Sequence, residues 1–147
     1  MKKVSDVSGY ILQLGKTNDD EGPDLITNLK MQKLVYYCQG FHLAMYDKPL
    51  FNNPIEAWEH GPVCPTLYHQ LKIFKSNPLP VPEENYTERF SDDELKLITE
   101  VYGVYGQYSA WRLREITHQE SPWKDTPLNH VISHEIMKAY FKTQLVT

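Results

Sequence analysis

The chain has 147 residues, a length typical of one domain and sufficient to bury a core without disulfides or metals. Hydrophobic residues make up 41% and charged residues 23%, a globular composition that argues against a disordered chain or a coiled coil. The formal net charge of −4 argues against a general nucleic-acid-binding surface. We therefore expect one domain over residues 1–147.

The sequence shows no sign of a membrane span or a secretory leader. Residues 34–46 form the longest uncharged apolar stretch, and a span would need about 18 residues or more. No apolar run follows the basic start at Lys2 and Lys3. Cys38 and Cys64 are too few for a disulfide framework and lack metal-ligand spacing. We expect a cytoplasmic protein that binds no metal, cofactor, nucleic acid or membrane.

Two helices are predicted in the first third of the chain. Apolar residues at three- and four-residue steps predict a helix over residues 4–14, ended by Gly15. A polar loop follows at residues 18–23. Thr27 or Asn28 then caps a helix that runs to about Met45. Because that helix is apolar around most of its circumference, we place it at the centre of a bundle.

The middle of the chain is rich in proline. Pro49, Pro54, Pro62 and Pro65 exclude a long helix between residues 47 and 65. We expect residues 49–51 and 55–58 to pair as a small hairpin. Pro65 suits the first turn of a further helix. Alternating prolines then predict an extended linker from residue 78 to about residue 86.

Serine N-caps organise the last third of the chain. Ser91 and Glu94 form a capping box before a helical stripe that ends at Gly106. Ser109 caps a helix that bears Trp111 and ends at Ser121-Pro122. A last helix is predicted over residues 133–143, where it buries Ile136, Ala139 and Tyr140. The predicted fold class is all-α, a compact bundle of about six helices with at most a small β-hairpin near residues 49–58.

The chain offers weak signals for catalysis or metal binding. Cys64 lies four residues after His60, a pair that would suit a cysteine nucleophile only if the two side chains met. His130 and His134 have helical metal-ligand spacing, but the cap expected at Ser133 separates them. No glycine-rich phosphate loop is present. We expect no enzymatic activity, with a small cysteine- and histidine-dependent enzyme as the remaining alternative.

Aromatic content and charge distribution point instead to binding. Ten tyrosines, five phenylalanines and three tryptophans are many for one core, and Tyr and Trp are favoured anchors at protein interfaces. Core packing is the simpler interpretation for Trp58 and Trp111, whereas Tyr108 and Trp123 lie near turns. Residues 83–100 hold seven acidic and two basic side chains, which form either a solvated segment or a face that steers a basic partner.

Several short motifs in order resemble one known family. The first group is LKMQKLVYYCQ (29–39), LA (43–44), KPLF (48–51), IEAW (55–58), HGPV (60–63) and Tyr68. The second group is YG (105–106), SA (109–110), Leu113, ITH (116–118), Glu120 and PW (122–123), and KAYF (138–141) closes the set. Together they resemble the Panacea domain, the family of SocA-like antitoxins that also occurs as phage-associated proteins. The resemblance covers about residues 4–142.

The resemblance implies a helical domain that neutralises a cognate toxin protein by direct binding. It also leaves open a proteolytic adaptor that delivers a toxin to a AAA+ protease, and a homo-oligomer. The residues that we expect to contact a toxin are Tyr36, Tyr37, His60, Tyr68, Tyr108, His118 and Trp123. The motif residues that we expect to have a structural role are Trp58, Gly61, Pro62, Val63, Trp111 and Pro122. Gly61-Pro62 and Pro122-Trp123 are expected to form two stiff, aromatic-bearing turns that make one ledge or groove.

Overall fold

A computed structural model describes residues 1–18 and 25–145, and for residues 17 and 18 it describes the backbone alone. Its helices are α1 (Val4–Asn18), α2 (Asn28–Tyr46), α3 (Pro65–Leu71), α4 (Asp92–Tyr105), α5 (Ala110–Thr117), α6 (Ser121–Lys124) and α7 (His134–Lys142). Two strands, β1 (Glu56–Trp58) and β2 (Gly61–Val63), form a small antiparallel sheet. The predicted mainly α fold class is confirmed. Of the predicted loop at residues 18–23, residues 19–23 lie outside the described residues.

The described residues contain one helix more than the predicted six. Ser121-Pro122 begins the short helix α6, because proline suits a first helical turn, whereas we had expected it only to end α5. The prediction that Gly15 ends α1 is also wrong, since the helix continues to Asn18. Gly15 instead allows close packing: a Cβ there would lie 3.1 Å from Ile26 Cδ1 and 3.2 Å from Tyr102 Oη.

Helix α2 occupies the centre of the fold, as its apolar circumference predicts, and packs against α7, α4 and α5. Two of its buried polar side chains, Gln32 and Gln39, form hydrogen bonds with the backbone of the proline-rich segment. Gln39 Nε2 donates to the Phe51 carbonyl at 2.7 Å, and Gln39 Oε1 accepts from the Leu50 amide at 2.8 Å. Gln32 Oε1 accepts from the Cys64 amide at 2.9 Å. These bonds satisfy buried backbone groups that would otherwise destabilise the fold.

The hairpin differs from the predicted one. Residues 56–58 do form a strand, but they pair with Gly61–Val63 across a two-residue turn, with Trp58 opposite Gly61. Residues 49–51 do not join this sheet, because Gln39 holds their backbone and Phe51 forms a parallel bridge with Lys2. Gly61 has φ 112°, a conformation that glycine adopts at little cost, and this permits the tight turn.

The predicted caps are confirmed. Thr27, Ser91, Ser109 and Ser133 each accept a backbone hydrogen bond from the first turn of their helix, and Ser91 forms the full capping box with Glu94. The buried face of α7 differs from the prediction. Its buried residues are Met137 and Phe141, whereas Ala139 is exposed and Ile136 and Tyr140 are half-buried. None of the helices in the described part of the chain has the length and apolarity that a membrane crossing requires.

Candidate protein-binding surface

A buried carboxylate joins α2 to the loop before α6. Tyr36 Oη donates to Glu120 Oε1 and Tyr37 Oη donates to Glu120 Oε2, both at 2.8 Å, and Tyr140 of α7 also donates to this carboxylate. Glu120 is only 5% exposed. Burial raises its pKa to about 7, and the three tyrosine hydroxyls oppose that rise by stabilising the charged form. The cluster ties three elements together at the centre of the fold.

Tyr36 and Tyr37 do not form part of a preformed binding surface, because both side chains are fully buried. The prediction that they contact a toxin there is wrong. The Tyr36 ring packs on Phe141 with centroids 5.4 Å apart, and the Tyr37 ring stacks on Tyr105 at 3.8 Å. The tyrosine pair therefore stabilises the packing of α2 against its neighbours.

The structure brings the hairpin turn together with α5 and α6. His118 Nε2 forms a hydrogen bond with the Glu59 carbonyl at 3.0 Å, and Trp123 Nε1 donates to the Trp58 carbonyl at 2.6 Å. The His118 and Trp123 rings stack with centroids 4.0 Å apart. Two turns that lie about 60 residues apart in the sequence are thus in contact, and we call the surface that they share the ledge.

Seven side chains on this ledge make up what we call the hairpin–helix surface. Trp58 meets Tyr68 of α3 edge to face, with ring centroids 5.1 Å apart. Arg114 Nε donates to His60 Nδ1 at 3.3 Å. The surface consists of Trp58, His60, Tyr68, Trp111, Arg114, His118 and Trp123. His60 and Trp111 are exposed, and the other five are half-buried. Tyr108 lies apart from this set, partly buried in the loop before α5.

The glycine, prolines and valine of the motifs are buried beneath the hairpin–helix surface, where a structural role was predicted. A Cβ on Gly61 would lie 2.7 Å from Lys33 Cε and 2.9 Å from Thr117 Oγ1, so only glycine fits this approach. The Pro62 carbonyl accepts a hydrogen bond from Lys33 Nζ at 3.2 Å. Val63 and Pro122 are likewise buried.

The prediction of core packing for Trp111 is wrong, because its side chain is 63% exposed. Helix α5 buries Leu113 and Thr117, one turn apart, and Trp111 projects from the other side of the helix. Its ring instead lies under the Arg114 guanidinium, whose central carbon is 4.8 Å from the ring centroid. Sequence reasoning missed Arg114. The available signal was its position three residues after Trp111 and four before His118, on one helix face.

Basic groups cluster behind the ledge. Lys33 is fully buried, and burial together with the Arg114 charge lowers its pKa to about 7. Burial lowers the pKa of His118, and the neighbouring Arg114, Lys33 and His60 charges lower it further. The Arg114 charge therefore disfavours protonation of both Lys33 and His118, and it gives this part of the ledge a positive potential.

The surroundings of Cys64 oppose a nucleophilic role. Its side chain is fully buried, and burial raises the pKa of the thiol, whereas a nucleophile requires the thiolate. His60 is exposed, and its Nδ1 accepts from Arg114. His130 lies in the loop before α7 and His134 begins that helix, so the two do not share a helix. Among the described residues, no three His, Cys, Asp or Glu side chains are grouped to hold a metal ion.

Comparison with known proteins places the chain in a family. The sequence model for "Antitoxin SocA-like, Panacea domain" matches residues 31–124, which include most of α2, the hairpin, α5 and α6. The chain belongs to the Panacea domain family. The matched region contains every member of the hairpin–helix surface. Helix α7 of this Panacea domain lies outside the matched region.

One curated relative of this Panacea domain is "Antitoxin SocA" from Caulobacter vibrioides (strain NA1000 / CB15N), 46% identical over 52 residues. The aligned segment is 35% of this chain and 26% of the relative, so it spans about a quarter of the relative's length. No solved structure matches this chain.

Proposed function

We propose that this protein is an antitoxin that neutralises a toxin protein by direct binding and catalyses no reaction. Its membership of an antitoxin family supports the general role. The observation that carries the binding proposal is the hairpin–helix surface, where accessible aromatic rings are held in fixed positions. We place the interaction in the cytoplasm, with the toxin encoded next to this gene as the partner.

The hairpin–helix surface has the features of a binding hot spot. Trp, Tyr and Arg are the residue types most enriched at such positions. Trp and Tyr offer a large contact area with few rotatable bonds, and Arg offers several hydrogen-bond donors in one plane. The Trp123 indole is already fixed by its bond to the Trp58 carbonyl and by its stack on His118. Binding of a partner therefore costs little side-chain conformational entropy at this surface.

The mechanism that follows is steric. A rigid ledge that packs against the toxin either covers the active site of the toxin or holds it in an inactive conformation. No residue of this chain makes or breaks a bond in that mechanism. The buried, high-pKa thiol of Cys64 is consistent with a non-enzymatic role.

Replacing Trp111 with serine is expected to weaken the toxin complex about tenfold or more, because a large exposed contact is lost while the core is untouched. Toxin and variant are co-expressed, growth is scored, and the Kd is measured by calorimetry. Val104→Ser is the matched control, since Val104 is an exposed apolar residue (51%) of α4, outside the hairpin–helix surface.

The proposal fails if the wild-type protein leaves the toxin active, or if Val104→Ser abolishes neutralisation while Trp111→Ser does not. The half-life of the toxin distinguishes a steric antitoxin from a proteolytic adaptor. A steric antitoxin leaves the toxin intact in cells with or without AAA+ proteases. Loss of the toxin only when such a protease is present would replace the steric mechanism with the adaptor.

A further inference from the structure

The guanidinium of Arg114 lies at the centre of the hairpin–helix surface with part of its hydrogen-bonding capacity unused. Its Nε donates to His60 Nδ1, and its central carbon lies over the Trp111 ring, 4.8 Å from the ring centroid. The ion pairs between described residues join Lys2 to Glu94, Arg89 to Asp6 and Glu84, Arg112 to Glu115, and Lys138 to Asp47. Within the described ranges, Arg114 thus has no carboxylate partner.

The two terminal nitrogens of Arg114 are accessible. They donate no hydrogen bond to another described residue, and every fully buried side-chain nitrogen or oxygen in those same residues has a partner. The Nη groups of Arg114 therefore reach solvent. A guanidinium in this state presents a planar pair of donors whose spacing matches the two oxygens of a carboxylate.

The described titratable groups that contact Arg114, or whose pKa its charge lowers, supply no negative charge. Lys33, His60 and His118 are the titratable neighbours that its charge acts on or contacts, and all three are basic. Two nearby carboxylates are engaged elsewhere: Glu115 pairs with Arg112 at 3.6 Å, and Glu56 accepts from Trp58 Nε1 at 2.9 Å. Glu59 of the hairpin turn is exposed and forms no ion pair with Arg114. A negative group brought by a partner would offset the repulsion between the Arg114 and Lys33 charges.

We propose that the hairpin–helix surface recognises an acidic segment of the toxin, and that Arg114 holds one Asp or Glu carboxylate of that segment through its two Nη groups. The inference rests on the proposed function and names the chemistry of the partner. Trp111 and His60 flank the carboxylate and exclude water from it. A nucleic-acid phosphate fits the same fork, but the chain has a net charge of −4 and an acidic segment at residues 83–100, which would repel a polyanion.

The test compares Arg114→Gln with Arg112→Gln in calorimetric titrations of the toxin. Arg112 is on the same helix, is exposed and already pairs with Glu115, so its removal is expected to change the Kd less than about threefold. Arg114→Gln removes the charge pair with the toxin and is expected to raise the Kd about thirtyfold or more. Arg114→Lys keeps the charge but loses the two parallel donors, so its Kd is expected to lie between those of the wild-type protein and Arg114→Gln. Unchanged thermal unfolding shows that the variants are folded.

A scan of the toxin identifies the carboxylate. Each Asp or Glu of the toxin is changed to Asn or Gln and titrated against wild-type protein and against Arg114→Gln. One toxin variant is expected to lose as much affinity as Arg114→Gln does, with no further loss when the two changes are combined. The proposal is overturned if no toxin carboxylate couples to Arg114, or if a single-stranded RNA oligonucleotide binds through Arg114.

The result also separates this inference from the proposed function. If the wild-type protein binds and neutralises the toxin while Arg114→Gln does so equally well, the antitoxin function stands and the carboxylate site is wrong. If the wild-type protein does not bind the toxin, the proposed function itself fails and the carboxylate site fails with it.

Discussion

Replacing Gly40 with alanine is expected to lower the free energy of unfolding by about 2 kcal/mol or more, because the added methyl group overpacks the core. Gly40 lies in the middle of α2, and a Cβ there would lie 2.8 Å from Phe141 Cζ and still closer to two other carbons of that ring. The Phe141 ring cannot move aside freely, since it packs against Tyr36 and Phe41. Urea denaturation followed by circular dichroism measures the loss.

Gly103→Ala provides the matched control on α4. A Cβ on Gly103 meets no atom within 4 Å, so the change only removes the backbone entropy cost of a helical glycine. We expect Gly103→Ala to stabilise the protein by about 0.5–1 kcal/mol. If Gly40→Ala stabilised the protein to the same degree, the packing of α7 against α2 described here would be wrong.

Stability is expected to fall as pH rises from about 4.5 to about 7, with Glu120 as the source. Its ordinary pKa is 4.5, and burial raises the value in the folded protein to about 7. Between these values the folded state binds more protons than the unfolded state, so folding is favoured at the acidic end of the window. Glu120 should contribute a drop of about 3 kcal/mol in the free energy of unfolding across this window, and Glu120→Gln should remove that contribution. The lowered pKa values of His42 and His118 oppose it in both proteins.

Lys33 produces the opposite slope above neutrality. Burial and the Arg114 charge lower its pKa from 10.5 to about 7, so the unfolded state binds more protons above pH 7 and stability rises with pH. Between pH 7 and pH 9 the rise should be about 2 kcal/mol, and Lys33→Met should remove it. Urea titrations from pH 5 to pH 9 measure both slopes. Parallel profiles for wild-type and Glu120→Gln would contradict the account of the buried carboxylate.

Local physical chemistry made much of the helical framework predictable. A serine or threonine at an N-cap satisfies donors of its own first turn, so Thr27, Ser91, Ser109 and Ser133 mark helix starts whatever packs around them. The central position of α2 also follows from its composition, because a helix that is apolar on most sides must be covered on most sides.

Contacts between distant segments decided the features that the sequence did not predict. The pairing of residues 49–51 depends on Gln39 and Lys2, which no turn signal near residue 50 reveals. Trp111 has an apolar ring that suits a core as well as a surface, and only the burial of Leu113 and Thr117 shows which face of α5 points inward. The same ambiguity placed Tyr36 and Tyr37 on a binding surface.

The candidate site was predictable where stiff turns carry its residues. His60 is adjacent to Gly61-Pro62 and Trp123 is adjacent to Pro122, and these residues limit the positions that the backbone can take, while His118 lies four residues before Pro122. Arg114 could not be identified in this way, since an arginine on a short helix is usually solvated. Its significance depends on the neighbours that the fold gives it, Trp111 and His60.

Hydrogen–deuterium exchange of this protein, alone and with the toxin encoded beside its gene, tests the central claim most directly. We expect the toxin to slow exchange in residues 56–64 and 110–124, which carry most of the hairpin–helix surface, while α4 exchanges as in the free protein. Slower exchange confined to α4 and the end of α2, with residues 56–64 and 110–124 unchanged, would contradict it.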